Sequence, residues 1–289
     1  MSIWLLVWVT APGFLAVGRV ADAQQPVRFS HLTVDDGLSN SEVRSAIQDE
    51  NGFLWIGTAD GLNRYNGYEF AVFQYDPTDP ASISNNQINT LLQAADGTLW
   101  VGTADGLNRY DPELVRFTVY DAEDDISEQG EMMAQGLAYD TISSLFEDAL
   151  GRIWIGHAST GSQSVGGLSR LDPRTGQVDY LDGIGDAPVH VIIADSTGIM
   201  WIGTGDGLHA VDPVTDDVTT YRHDPDNPNS LAGNDIRHLA FDLQGRLWVG
   251  MWGTGLDNLD TVSGIAEHHR SIAAGGQLAS GFVSALTHT

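Results

Sequence analysis

Apolar and polar positions along this chain fall into short runs separated by Gly, Asp and Pro, a pattern of strands and tight turns. Over Ile88–Tyr120 a first strand runs to Ala94, with apolar Ile88, Leu91 and Leu92. Asp96-Gly97 marks a hairpin turn, where glycine supplies positive φ at little cost. Leu99–Thr103 reads as a second strand, Ala104-Asp105-Gly106 as a turn, and Leu107–Tyr110 as a third strand. Asp111-Pro112 breaks it, and Val115–Tyr120 forms an outer fourth strand. Helical readings fail because the segments are short, glycine-punctuated and β-branched.

The unit repeats. Phe53–Tyr65 reads FLWIGTADGLNRY and Leu99–Tyr110 reads LWVGTADGLNRY, with further copies from Ile153, Met200 and Leu247. Trp55, Trp100, Trp154, Trp201 and Trp248 anchor them, at separations of 45, 54, 47 and 47 residues. Four-stranded propeller blades recur at about 40–50 residues. One large ring per unit fills the space between neighbouring sheets, and the glycine following Ile or Val allows close approach between blades. The fold class is all-β: a β-propeller of four-stranded antiparallel blades, rather than a solenoid.

The pattern D-x-x-G-x-[LI]-W-[IV]-G-T-x-x-G-L-x-R-[YL] resembles the two-component regulator propeller repeat, over nearly all of Phe29–Thr289. The connectors YDPTDPASIS from Tyr75 and RHDPDNPNSLAGNDI from Arg222 match the loop between blades in that family. Gly156-His157 and Gly250-Met251 depart from its Gly-Thr. The resemblance implies the periplasmic sensor region of a hybrid histidine kinase or a related one-chain regulator, with the kinase in a longer parent. It further implies a seven-bladed parent ring and, as in many family members, an oligosaccharide stimulus.

Five complete repeats are followed by Ser280–Leu286, which reads as the first strand of a sixth blade. Phe29–Val34 aligns with the outer strand Phe70–Tyr75, so the chain starts one strand out of phase. The expectation is an incomplete ring spanning residues 24–289. Closure would instead pair Phe29–Val34 with the third strand near Leu256–Leu259.

Composition narrows the chemistry. The net charge is −26, with 39 acidic residues against 13 basic ones, all arginine. Such a field argues against nucleic acid, and lysine-dependent chemistry is excluded. The absence of cysteine rules out disulfides and thiolate metal sites. Ile3–Val17 is mostly apolar and is followed by Ala21-Asp-Ala23, which reads as a signal peptide, residues 1–23, cleaved after Ala23. A periplasmic location follows. Membrane contact is expected only through C-terminal parent regions.

Ligand candidates fall on the face carrying the loops into the first strands and between strands two and three. Two insertions there belong to blade three, placing Asp124, Asp125, Glu128, His157 and Ser159 at a candidate site; equally, surface loops tolerate length. Trp252 stands where other blades have Ala or Gly, as a stacking surface or as a cover on a neighbouring blade. Asn40, Asn86 and Asn234 precede first strands and are candidates for the mouth, or are turn formers. Arg64, Arg109 and Arg170 occupy equivalent third-strand positions, where pairing with local carboxylates is expected. No catalytic constellation is visible: Gly203–Gly207 copies GTADG rather than forming a nucleotide loop, and the histidines lack zinc spacing. The chain is expected to sense a small-molecule or oligosaccharide ligand, with no metal, cofactor or catalysis, and with dimerisation open. The alternative is a secreted propeller that binds protein or acts as a lyase or glycosidase.

Overall fold

In the computed structural model the described residues are 31–121, 136–158, 166–269 and 283. All but His31 and Leu32 belong to one compact unit, Thr33–Thr289. The 1–23 stretch, Asp124, Asp125, Glu128 and Ser159 lie outside the described residues.

Five four-stranded antiparallel sheets follow in chain order. Blade one is β1 (Val43–Gln48), β2 (Leu54–Thr58), β3 (Gly61–Tyr65) and β4 (Phe70–Phe73). Blade two is β5 (Ile88–Gln93), β6 (Leu99–Thr103), β7 (Leu107–Asp111) and β8 (Arg116–Tyr120). Blade three is β9 (Ile142–Glu147), β10 (Ile153–Ala158), β11 (Gly166–Leu171) and β12 (Val178–Tyr180). Blade four is β13 (Val189–Ala194), β14 (Met200–Thr204), β15 (Gly207–Val211) and β16 (Val218–Tyr221). Blade five is β17 (Ile236–Phe241), β18 (Leu247–Met251), β19 (Gly255–Leu259) and β20 (Ala266–His269). The first strands β1, β5, β9, β13 and β17 pack on one another in series, making them the inner strands.

One clamp recurs at the turn between the first two strands. Asp49 accepts bonds from Asn51 N and Phe53 N, and its second oxygen accepts Trp55 Nε1 at 2.8 Å. Asp148, Asp195 and Asp242 hold Trp154, Trp201 and Trp248 in the same way, at 2.9, 3.1 and 3.2 Å. A single carboxylate thus closes the hairpin and satisfies the indole N–H, which is costly to bury alone. Blade two has Ala94 at this place.

The motif glycine is where blades touch. A Cβ on Gly203 would sit 2.7 Å from both Ile236 Cγ2 of the next blade and Val191 Cγ1 of its own. Gly250 meets Val283 in the same way, at 2.8 Å. Val283 therefore takes, against Gly250, the place that Ile88, Ile142, Val189 and Ile236 take against the motif glycine of the preceding blade; the rest of Ser280–Leu286 lies outside the described residues.

Among the described residues, five blades enclose four buried cores, one per junction. Trp55, Trp100, Trp154 and Trp201 are each 3% exposed or less. Trp248, facing away from blade four, belongs to none of the four cores and is only half-buried. β19 pairs with β18 and β20, so both its edges are occupied within its own blade. The series of inner strands does not close, and the architecture is an incomplete propeller. The opening segment differs from expectation in one respect. Of the strand expected over Phe29–Val34, the described residues His31–Thr33 form none and Val34 opens a 3-10 turn, Val34–Asp36, because Asp36 Oδ2 accepts bonds from both the N–H and the hydroxyl of Thr33.

Candidate functional site

Each inner strand begins with a β-bulge at the same position, between Val43 and Ser45, Ile88 and Thr90, Ile142 and Ser144, Val189 and Val191, and Ile236 and His238. A bulge inserts one residue and re-aims its side chain. The five inserted residues are Arg44, Asn89, Ser143, His190 and Arg237, all polar, along the concave edge of the arc. Most reach the next blade. Arg44 Nη1 donates to Asn89 Oδ1 at 2.9 Å, Asn89 Nδ2 to Ile142 O at 2.9 Å, and Ser143 Oγ to Val189 O at 2.6 Å. His190 Nε2 lies 3.5 Å from Asp235 Oδ1, and Arg237 Nε lies 2.7 Å from the same oxygen. His190 is held neutral: burial, reinforced by Arg237, pulls it down to about 4 against Asp235.

Trp252 adds the apolar element. It sits in the β18–β19 turn with 57% of its surface exposed, and the Arg237 guanidinium lies 5.4 Å from its ring centroid. Its backbone N–H donates to Asp235 O at 2.9 Å. Trp252, Arg237, Asp235 and His190 therefore gather at the junction of blades four and five. An aromatic face beside an ion pair can stack a ring and hydrogen-bond its substituents.

The other candidates are placed differently. Asn86 and Asn234 are structural ties. Their carbonyls accept Gly61 N and Gly207 N of the preceding blade at 2.7 Å, and their amide oxygens accept Tyr75 N and His223 N. Asn40 corresponds to Asn85 instead; each closes a local turn onto the residue two further on. His157 is corrected from loop to wall: it lies within β10 with no exposed surface and bonds Ser169 Oγ at 2.9 Å. It takes the place of Thr58, Thr103 and Thr204, which bond the turn glycine carbonyl. Of the three arginines, only Arg170 is paired with carboxylates.

The bulge residues were not singled out from sequence. Their signal was present, because buried residues three apart, as in Ile88/Leu91 and Ile236/Leu239, betray an inserted residue in a strand. Among the described residues no group of His, Asp or Glu is arranged to hold a metal, and no helix is long and apolar enough to cross a membrane.

Fold and inner edge together define an open β-propeller. Residues 37–60, 82–105 and 136–159 match the two component regulator propeller family, and the chain carries the repeats of that family. A curated relative, histidine kinase P4 of Formosa agariphila, is 43% identical over 70 residues, 24% of this chain and 5% of that protein. Among solved structures, the extracellular domain of a hybrid two-component system from Bacteroides thetaiotaomicron is 21% identical with a TM-score of 0.54, covering 80% of this chain and 35% of that one. PorZ, a surface component of the type-IX secretion system of Porphyromonas gingivalis, is 17% identical with a TM-score of 0.62, covering 85% and 36%. Virginiamycin B lyase of Staphylococcus aureus, 14% identical, reaches 0.54 over 78% and 69%. These structural likenesses concern the fold. The chain spans about a third of the length of the two-component neighbour.

Proposed function

We propose that this chain is the ligand-sensing part of a two-component signalling protein, exported to the periplasm, with catalysis residing in a longer parent rather than in these blades. The repeat family and the partial match to a histidine kinase support the signalling context. The observation that carries ligand binding is the exposed Trp252 beside Arg237 on a rim of polar bulge residues. Such a rim suits a neutral, hydroxyl-rich small molecule or oligosaccharide, whose ring stacks on Trp252 while Asp235 and Arg237 bond its hydroxyls. The strong negative field disfavours nucleic acid as partner.

The test is a thermal-shift screen of residues 24–289 against neutral oligosaccharides, followed by calorimetry on the best ligand. Trp252→Ala is expected to cost about 1–3 kcal/mol of binding, roughly 5- to 150-fold in affinity, with an unchanged melting temperature. Undiminished affinity in that variant would return Trp252 to a packing role.

A further inference from the structure

The third strands of blades one and three carry an arginine in the same register. Arg64 stands opposite Trp55 and Arg170 opposite Trp154. Both guanidinium groups lie over their indoles, 5.6 and 5.4 Å from the ring centroids. There the likeness ends. Arg170 is latched by Asp216, from the β15–β16 turn of the next blade, at 2.6 Å, and by Asp179 at 3.3 Å. Arg64 has neither carboxylate. Ala71 stands across the ladder where blade three has Asp179, and the position of Asp216 is taken in blade two by Val115.

That equivalence is fixed by the backbone. Val115 and Asp216 are the two described non-glycine residues with positive φ, 52° and 60°, each three residues after the proline of an Asp-Pro pair. Aspartate tolerates this region, whereas a β-branched residue is strained in it. Blade two thus holds a disfavoured valine, 57% exposed, at the turn position from which a carboxylate would close on Arg64.

In front of Arg64 lies a cleft of about 580 Å³ between the turns of blades one and two, walled by Phe53, Trp55, Tyr110 and Pro112. Among the described residues Arg64 has no ion pair; its contacts are the Phe53 ring at 5.0 Å and the Tyr110 hydroxyl at 3.4 Å. The carboxylates nearby are engaged. Asp49 holds its turn and Trp55, Asp96 accepts Thr98 N, and Asp111 accepts Glu113 N and Leu114 N. Glu50 and Glu113 are exposed beside them.

We propose that this cleft binds a small ligand bearing one carboxylate on an apolar ring. The carboxylate takes on Arg64 the place that Asp216 takes on Arg170, as a charge-assisted pair. The ring lies against half-buried Phe53. Arg109 and Arg116 also line the cleft, Arg116 beside Asp111 at 3.9 Å, so contact with the ring, not charge alone, separates an aromatic carboxylate from phosphate. The cleft lies among the turns between strands one and two and between three and four, away from the β18–β19 turn that carries Trp252, so it stands independently of the proposed sensing rim.

The experiment titrates residues 24–289 with benzoate, benzamide and inorganic phosphate by calorimetry, alongside Arg64→Gln and Val115→Asp. Benzoate is expected to bind in the millimolar range, and benzamide and phosphate to bind about tenfold more weakly or not at all. Both variants should lose benzoate by about tenfold or more. Val115→Asp recreates the latch of blade three, so it should raise the melting temperature while abolishing binding, which separates site loss from misfolding. The proposal is overturned if benzoate fails to bind the native chain, if benzamide or phosphate binds as well as benzoate, or if either folded variant binds benzoate as the native chain does.

Discussion

At the residue scale, the stability of each blade turns on buried polar atoms that the sequence shows only as letters in a motif. Asp148 illustrates it. Burial raises its carboxyl, but bonds from Trp154, Arg152 and Leu150 outweigh burial and hold it below the usual carboxylate range. Asp148→Ala should destabilise the fold by about 1–3 kcal/mol, because Trp154 Nε1 is left buried without a partner. The contribution is fully present above the unfolded carboxyl value of about 4 and is lost as pH falls through the lower folded value. The gap between native and variant in urea titrations should therefore narrow at low pH; a gap that persists unchanged to strong acid would refute the clamp. His157 loses stability in the same direction, as pH falls, for a different reason. Burial pulls it from 6.5 to about 4, with only weak opposition from the Tyr139 backbone, so the unfolded chain takes up the proton first. Stability is highest above pH 6.5 and falls towards pH 4, by roughly 3 kcal/mol at most from this residue. His157→Asn should flatten the pH dependence of the urea midpoint between those values, leaving the share of His190 and His209, which burial also lowers to about 4. An unaltered slope would show that His157 does not titrate in this way. From sequence His157 read as a loop residue because it follows the motif glycine beside an insertion; only the ladder, where it pairs with Gly167 and Ile142, shows that it faces inward.

At the scale of elements, alternation and turn residues located the strands well. The second-blade strands expected at Ile88–Ala94 and Leu99–Thr103 form at Ile88–Gln93 and Leu99–Thr103. Less legible was what joins one sheet to the next. A bulge changes no composition, so Arg44, Asn89 and Arg237 looked like ordinary strand residues. The glycine of the Trp-Ile-Gly motif was legible, and its cause is the contact with the following blade. Gly203→Ala should cost about 1–3 kcal/mol, since its Cβ would press on Ile236 and Val191 in a packed interface. Gly67→Ala, at a turn with open space around it but positive φ, separates backbone strain from crowding. If Gly203→Ala proves the milder of the two by thermal melting, crowding is not the reason for that glycine. Arg64 and Arg170 share one motif letter yet differ in pairing, because their partners come from other strands and from the next blade's turn, beyond the reach of local pattern.

At the scale of the whole molecule, the described residues form five blades with four buried cores between them, and Trp248 is half-buried on the last face. Repeat number made the open arc legible in advance; of Ser280–Leu286 only Val283 is described, packed against Gly250. The chain has no cysteine, so paired spin labels report single distances without background. Glu42, Gln87 and Asp235 occupy the same place, one residue before the inner strand, in blades one, two and five. Pulsed electron spin resonance on Glu42→Cys/Gln87→Cys measures one blade-to-blade step, and Glu42→Cys/Asp235→Cys measures first blade to last. The open arc predicts a clearly longer distance for the second pair. Two matching distance distributions would mean that the five blades close on themselves, contradicting the account.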